Sequence, residues 1–213
     1  MHIEPGLLAQ SKLVFAAAAA VGVLAVYLPK LLKSPALVLR SFLAAFFFSI
    51  CMQAFHMQVG PSELHFLGAM PIYLAFGFTP TLFGFAMGLL FQGLIFEPQD
   101  LMHLAVNTLS LAVPLIAVHY TIGNKLRSVT MQTILKLDSA YYAGVVCMVA
   151  FWLALSETAT AFSAWAQFAA SYLPVVALEP VLTVAVLWLV HRARHTRFGQ
   201  LCFDYQQPAN AAT

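Results

Sequence analysis

The sequence predicts an all-α, polytopic membrane protein of about seven transmembrane helices. Three observations carry that expectation. Hydrophobic residues make up 62% of the 213 positions and charged residues only 8%, against about 25% charged in ordinary soluble domains. The apolar residues fall in long runs, and in lipid such runs satisfy their backbone groups as helices. The basic residues gather at alternate connections, as the distribution of Lys and Arg in membrane proteins requires.

The apolar runs place spans at 11–28, 41–57, 64–78, 80–96, 101–121, 139–156 and 172–191. At about 20 residues per span, the chain has no room for a soluble domain. It is read as one integral membrane domain, 1–213, with an N-terminal segment 1–6 and a basic tail 192–213. Pro29, Pro35, Pro61 and Pro80 fall in expected connections. Pro71, Pro114, Pro174 and Pro180 fall inside spans or near their ends and are expected to bend them.

Lys30, Lys33 and Arg40 lie between the first two spans, and Lys125, Arg127 and Lys136 between the fifth and sixth. Arg192, Arg194 and Arg197 follow the seventh. With seven spans these three segments share one side, which predicts an outer N-terminus and a cytoplasmic C-terminus. The formal charge of +2 is then a product of topology, and no nucleic-acid partner is expected. The first six residues contain Glu4 and no Lys or Arg, unlike a signal peptide. His2 is too large for removal of the initiator Met, so the mature chain is expected to begin with the amine of Met1. Cys51, Cys147 and Cys202 are far apart, with no metal-binding or disulfide spacing. The run Ala16–Ala20 followed by Gly22 is a small-residue face suited to close helix packing.

On this map His2, Glu4, His56, Glu63, His65, Glu97, Asp100 and His103 fall at or near the outer end. His119, His191 and His195 fall near the inner end. The third and fourth spans are short and meet at "GFTP", and short or interrupted spans flank binding sites in transporters. A free amine followed by His can chelate a metal. The Met1 amine, the His2 amide nitrogen and the His2 imidazole form two fused, nearly planar rings. A fourth nitrogen would complete a tetragonal site suited to Ni(II) or Cu(II), with low-spin Co(II) chemically reasonable. His65, early in the third span on the same side, is the candidate for that nitrogen. Glu179, followed by Pro180, places a carboxylate at membrane depth, which by default marks a functional site. It would serve cation passage, or be protonated, or bond to backbone freed by the proline.

The stretches "MHIEPG", "GPSELHFLGA", "LLFQGLIF" and "HLAVNTLSLAVP" occur in that order and resemble the CbiM/NikM family. These are the substrate-specific membrane components of energy-coupling-factor transporters for cobalt and nickel. The matching positions are Met1, His2, Ile3 and Gly6; Gly60, Ser62, His65 and Gly68; Gln92; and Asn107. The chain departs from the family pattern at Pro5, where members often have an acidic residue. It departs again in "FEPQDLMHLAVN", which brings Glu97, Asp100 and His103 to a usually Gly-rich stretch.

The resemblance implies a seven-helix bundle in a prokaryotic plasma membrane, with Met1, His2 and His65 holding the metal. Ser62, Glu63 and Asn107 are read as groups that orient the ligands, and His103 as a further ligand or an outer-surface residue. The expected cargo is Co²⁺ or Ni²⁺, with no prosthetic group. The expected partners are a transmembrane coupling subunit and ATPase subunits, with a small accessory membrane subunit in many members. No GxxxxGK[ST] or HExxH motif is present, so ATP hydrolysis is assigned to the partners. Two other classes are weighed beside this one. One is a membrane metal-dependent hydrolase built on His65, His103 and Glu63; the other is a structural or cofactor-anchoring bundle.

Overall fold

The computed structural model describes residues 7–59, 62–126, 128–157 and 160–205. The chain is a helical bundle. Helices α1 (Gln10–Leu32) and α2 (Pro35–Ala54) lead into a hairpin of strands β1 (His56–Val59) and β2 (Ser62–His65). The short α3 (Ala69–Phe76) and the longer α4 (Phe78–Ile95) follow. A 3₁₀ turn, Pro98–His103, opens α5 (Leu104–Thr121), and α6 (Met131–Ala154) runs back beside it. Helices α7 (Phe162–Ser171) and α8 (Leu173–Ala193) stand in tandem before the terminal α9 (Arg197–Cys202). Six helical segments among the described residues are long and apolar enough to cross a membrane.

Local chemistry sets several boundaries. Pro35 begins α2, where its missing N–H is one the helix could not have bonded. Thr130 accepts a hydrogen bond from the Thr133 N–H at 3.2 Å and so starts α6. Pro71 and Pro174 occupy the first turns of α3 and α8, where proline is tolerated. Pro114 and Pro180 lie inside their helices, as expected. Pro29 and Pro80 are helical as well, because α1 continues to Leu32 and α4 begins at Phe78.

The third expected span takes a different form. Residues 62–65 are a strand, and only the eight residues of α3 are helical. A helix of that length rises about 12 Å, far short of the roughly 30 Å hydrocarbon layer. All eight of its residues are buried. The apolar run at 64–78 therefore reflects burial among other helices rather than exposure to lipid, and hydropathy registers both alike. The sixth span also begins earlier than its apolar run, at Met131 rather than at 139.

The two ends of the bundle are distinct. One end carries a cavity of about 520 Å³ lined in part by Lys30, Arg40, Gly77, His119, Asp204 and Tyr205. Arg40 donates to the Leu201 and Gln200 carbonyls at 3.1 and 3.2 Å and lies 3.8 Å from the Asp204 carboxylate. The Asp204 N–H donates to the Ala75 carbonyl at 2.8 Å, tying the C-terminal segment to α3. His119 is held by Tyr73, 2.9 Å from its Nδ1, and by the Phe78 ring stacked 4.0 Å away. At the opposite end, Lys12 donates to the Leu155 carbonyl, and the Glu157 N–H donates to Leu7 at 3.0 Å.

Ala16 and Ala20 of the small-residue run are buried against Val106, Leu109 and Trp152, so part of that face packs within the bundle. The Trp152 Nε1–H donates to Ser110 Oγ at 3.0 Å, joining α6 to α5. Ser110→Ala would leave this buried N–H without its acceptor. We expect a loss of about 1–3 kcal/mol, visible as a lower melting temperature of the purified protein. An unchanged melting temperature would show that this bond contributes nothing net.

Candidate metal site

The hairpin positions the polar residues that the sequence singles out. β1 and β2 pair antiparallel with His56 opposite His65 and Gln58 opposite Glu63. Side chains two apart on a strand share a face, so Glu63 and His65 lie on the same side, with His56 across from them. One Glu63 oxygen lies 2.8 Å from His56 Nδ1 and the other 3.2 Å from His65 Nε2. The two imidazole rings stack at 5.8 Å with their planes 15° apart. The carboxylate thus bonds the His56 ring and sits against the His65 ring. His65 is 3% exposed, whereas the His56 side chain is 47% exposed. A buried histidine with a carboxylate on one ring nitrogen is the arrangement that orients metal ligands.

Ser62, at the start of β2, is fully buried. A second polar set lies on α4, the 3₁₀ turn and α5. Gln92 is buried and accepts from Gln53 Nε2 at 3.0 Å. His103, read from sequence as a further ligand or an outer-surface residue, is 1% exposed. It closes the 3₁₀ turn, one helical turn before Asn107. Asn107 is buried, and its Oδ1 has no hydrogen-bond partner among the described residues. Met1, His2, Glu4 and Gly6 lie outside the described residues, as do Gly60 and Pro61.

Among the described residues no three His, Cys, Asp or Glu side chains form a group able to hold a metal ion. The hydrolase arrangement of His65, His103 and Glu63 is therefore not assembled. His65 and Glu63 are together.

Glu179 is fully buried in α8, as a carboxylate at membrane depth must be. Its backbone partner is not one freed by Pro180. The Met70 N–H of α3 donates to Glu179 Oε1 at 2.9 Å, and the Tyr142 hydroxyl donates to Oε2. Asp138 of α6 lies beside it, also fully buried. Asp138, Tyr142 and Tyr172 did not stand out in the sequence. The available signal was Asp138, one residue outside an apolar run that the helix in fact precedes by two turns.

The fold and the chain's composition define a multi-pass membrane protein. Its described residues overlay the crystal structure of a truncated transition metal transporter with a TM-score of 0.69, at 19% identity, over 92% of this chain and 99% of that one. A crystal structure of a transition metal transporter overlays with a TM-score of 0.68, at 20% identity, over 93% and 96% of the two chains. At these identities the likeness is one of fold. No curated protein matches the sequence. The family of the cobalt uptake substrate-specific transmembrane region, CbiM, matches residues 2–197, and the chain belongs to it. It is a component of a metal uptake transporter.

Proposed function

We propose that this chain is the substrate-capture component of an ATP-driven energy-coupling-factor importer for Co²⁺ or Ni²⁺. The observation that supports this reading best is His65. It is buried at the end of a hairpin and oriented by Glu63, in a chain of the cobalt-uptake family. The Met1 amine, the His2 amide nitrogen and the His2 imidazole supply the other three donors, and residues 1–6 form a plug over the outer mouth. Four nitrogens in a plane suit Ni(II) and low-spin Co(II). Glu63 orients His65, while Ser62, Asn107 and His103 serve the surrounding polar shell.

The N-terminus lies outside in this reading and the C-terminus in the cytoplasm of a prokaryotic cell, with the third of seven passes made by β2, the strap and α3 enclosed within the protein. The end carrying Lys30, Arg40 and the C-terminal segment faces inward. The chain works with a transmembrane coupling subunit, a pair of ATPases and a small accessory membrane subunit. Metal captured outside is delivered by reorientation of the bundle against the coupling subunit, and no covalent chemistry falls to this chain.

The test sets protein with an authentic Met1 beside a variant carrying one Gly before it. Both are titrated with Co²⁺, Ni²⁺, Cu²⁺ and Zn²⁺, and bound metal is measured. One-to-one binding lost in the extended protein is the expected result. Affinity should also rise with pH, by about tenfold per unit for each proton the metal displaces. The sign follows from the ligands, since amine, amide and imidazole all bind as bases. Equal binding by the two proteins would overturn the chelate.

A further inference from the structure

The polar core around Glu179 lies on α3, α6 and α8, off the hairpin, and none of its side chains belongs to the capture chemistry. The start of α3 explains what it does. α3 opens after Gly68, which has no side chain to cap with, and Pro71 in third place has no N–H. The unbonded donors at this helix start are the amides of Ala69 and Met70. Water cannot serve them, because every residue of α3 is buried. Glu179 takes their place as acceptor, through the 2.9 Å bond from Met70 N–H to Oε1.

A capping oxygen ordinarily comes from the residue just before the helix. Here it comes from α8, 109 positions along the chain. The positive end of a helix dipole favours an anion there, which accounts for a carboxylate with no exposure. The other oxygen accepts from the Tyr142 hydroxyl. The Tyr142 ring lies 5.0 Å from that of Tyr172, at the α7–α8 junction. The Tyr172 hydroxyl in turn lies beside the backbone N–H of His65. The segment from His65 to Met70 is thus bonded at its Met70 end and flanked by the Tyr172 hydroxyl at its His65 end.

We propose that Glu179, Tyr142 and Tyr172 are positioning residues for the metal site, setting His65 where its imidazole completes the chelate. The proposal deepens the Met1–His2–His65 reading and rests on it. The network touches no metal; it acts through the backbone of the strap between β2 and α3.

The experiment uses full-length protein with authentic Met1, and Ni²⁺ as the probe, read by affinity and by visible absorbance. A planar four-nitrogen Ni²⁺ site differs in spectrum from one in which water replaces a nitrogen. Glu179→Gln keeps an oxygen for Met70 and should bind within about tenfold of the wild type, with its spectrum. Glu179→Leu should lose about 10–100-fold in affinity, as removal of an orienting group does, and should lose the four-nitrogen spectrum. A folded Glu179→Leu protein with wild-type affinity and spectrum would overturn the proposal. So would equal losses in the Gln and Leu variants, since only one of them removes the acceptor. If Glu179→Leu does not fold, Tyr172→Phe decides, because it keeps the ring and removes only the hydroxyl beside His65. Wild-type affinity and spectrum in that variant would overturn the proposal, and a loss with a changed spectrum would support it. Failure of the underlying chelate shows separately: a wild-type spectrum indifferent to an added N-terminal Gly ends both readings before any Glu179 variant is made.

Discussion

His65→Ala is expected to weaken Ni²⁺ or Co²⁺ binding by more than the roughly 10–100-fold that removal of an orienting residue costs. The substitution deletes one of four proposed donors and leaves a three-nitrogen chelate that water must complete. Among the described residues no group of three metal-ligating side chains exists. His56, stacked on His65, projects into solvent with its Nδ1 on Glu63. His56→Ala is the matched control. It removes the exposed partner and leaves Glu63 on His65, so its loss should stay below about tenfold. Equilibrium binding of radioactive or dye-competed metal to both proteins decides the matter. A His65→Ala protein that binds like the wild type would remove His65 from the site, and a large loss in His56→Ala alone would transfer the role to that residue.

Gly84→Val is expected to cost more stability than any other single change named here. α2 and α4 make the most extensive helix–helix contact among the described residues, and Gly84 and Gly88 line its seam. A Cβ at Gly84 would sit 2.6 Å from the Ala44 Cβ, 3.1 Å from the Ala45 nitrogen and 3.2 Å from the Ala44 carbonyl carbon. Two of those three atoms are backbone, so no rotamer change can make room. At Gly88 the obstacle is the Phe48 ring, with the Ala45 carbonyl oxygen 3.2 Å away. Overpacking of this kind costs about 1–3 kcal/mol where side chains can adjust, and backbone obstacles place Gly84→Val at or above the upper figure. Thermal unfolding in detergent measures it. Because the seam lies away from the hairpin, protein that does fold should keep the metal affinity of the wild type. A melting temperature equal to that of the wild type would show that α2 and α4 can separate freely.

Much of this architecture can be read from the sequence, for identifiable reasons. Long apolar runs locate α1, α2, α4, α5, α6 and α8 because lipid demands a continuous apolar surface. The same signal fails at 64–78, where all of α3 is apolar because it is enclosed by protein. The spacing of Glu63 and His65 carries the hairpin face, but a helix reading of that run conceals it, since residues two apart face each other only on a strand. His65 is legible through its place in "GPSELHFLGA". The carboxylate beside it is two positions away, so local reading reaches it. The bond from Met70 to Glu179 joins positions 109 apart, and no local pattern encodes such a pairing. Gly84 and Gly88 do carry a local signal, glycines four apart within an apolar run, and it marks the α2–α4 seam that composition alone passes over.

Consider α3 as a mechanical part. It is a stiff rod about 12 Å long, fastened above by Glu179 through Met70 and below by Asp204 through Ala75. Its two joints are the only described residues with positive φ, Gly68 at 61° and Gly77 at 88°. Each is jammed: a Cβ at Gly68 would meet Cys51 Sγ at 2.8 Å, and one at Gly77 would meet the Asp204 carboxylate at 2.5 Å. A rod without slack, seated in tight joints, cannot absorb a push along its axis. A shift of the His65 strap therefore has two outlets, rotation at Gly68 or displacement of the Asp204 segment about two helical turns away. The end of the bundle that holds Arg40 and Asp204 is thereby linked through α3 to the end that holds His65.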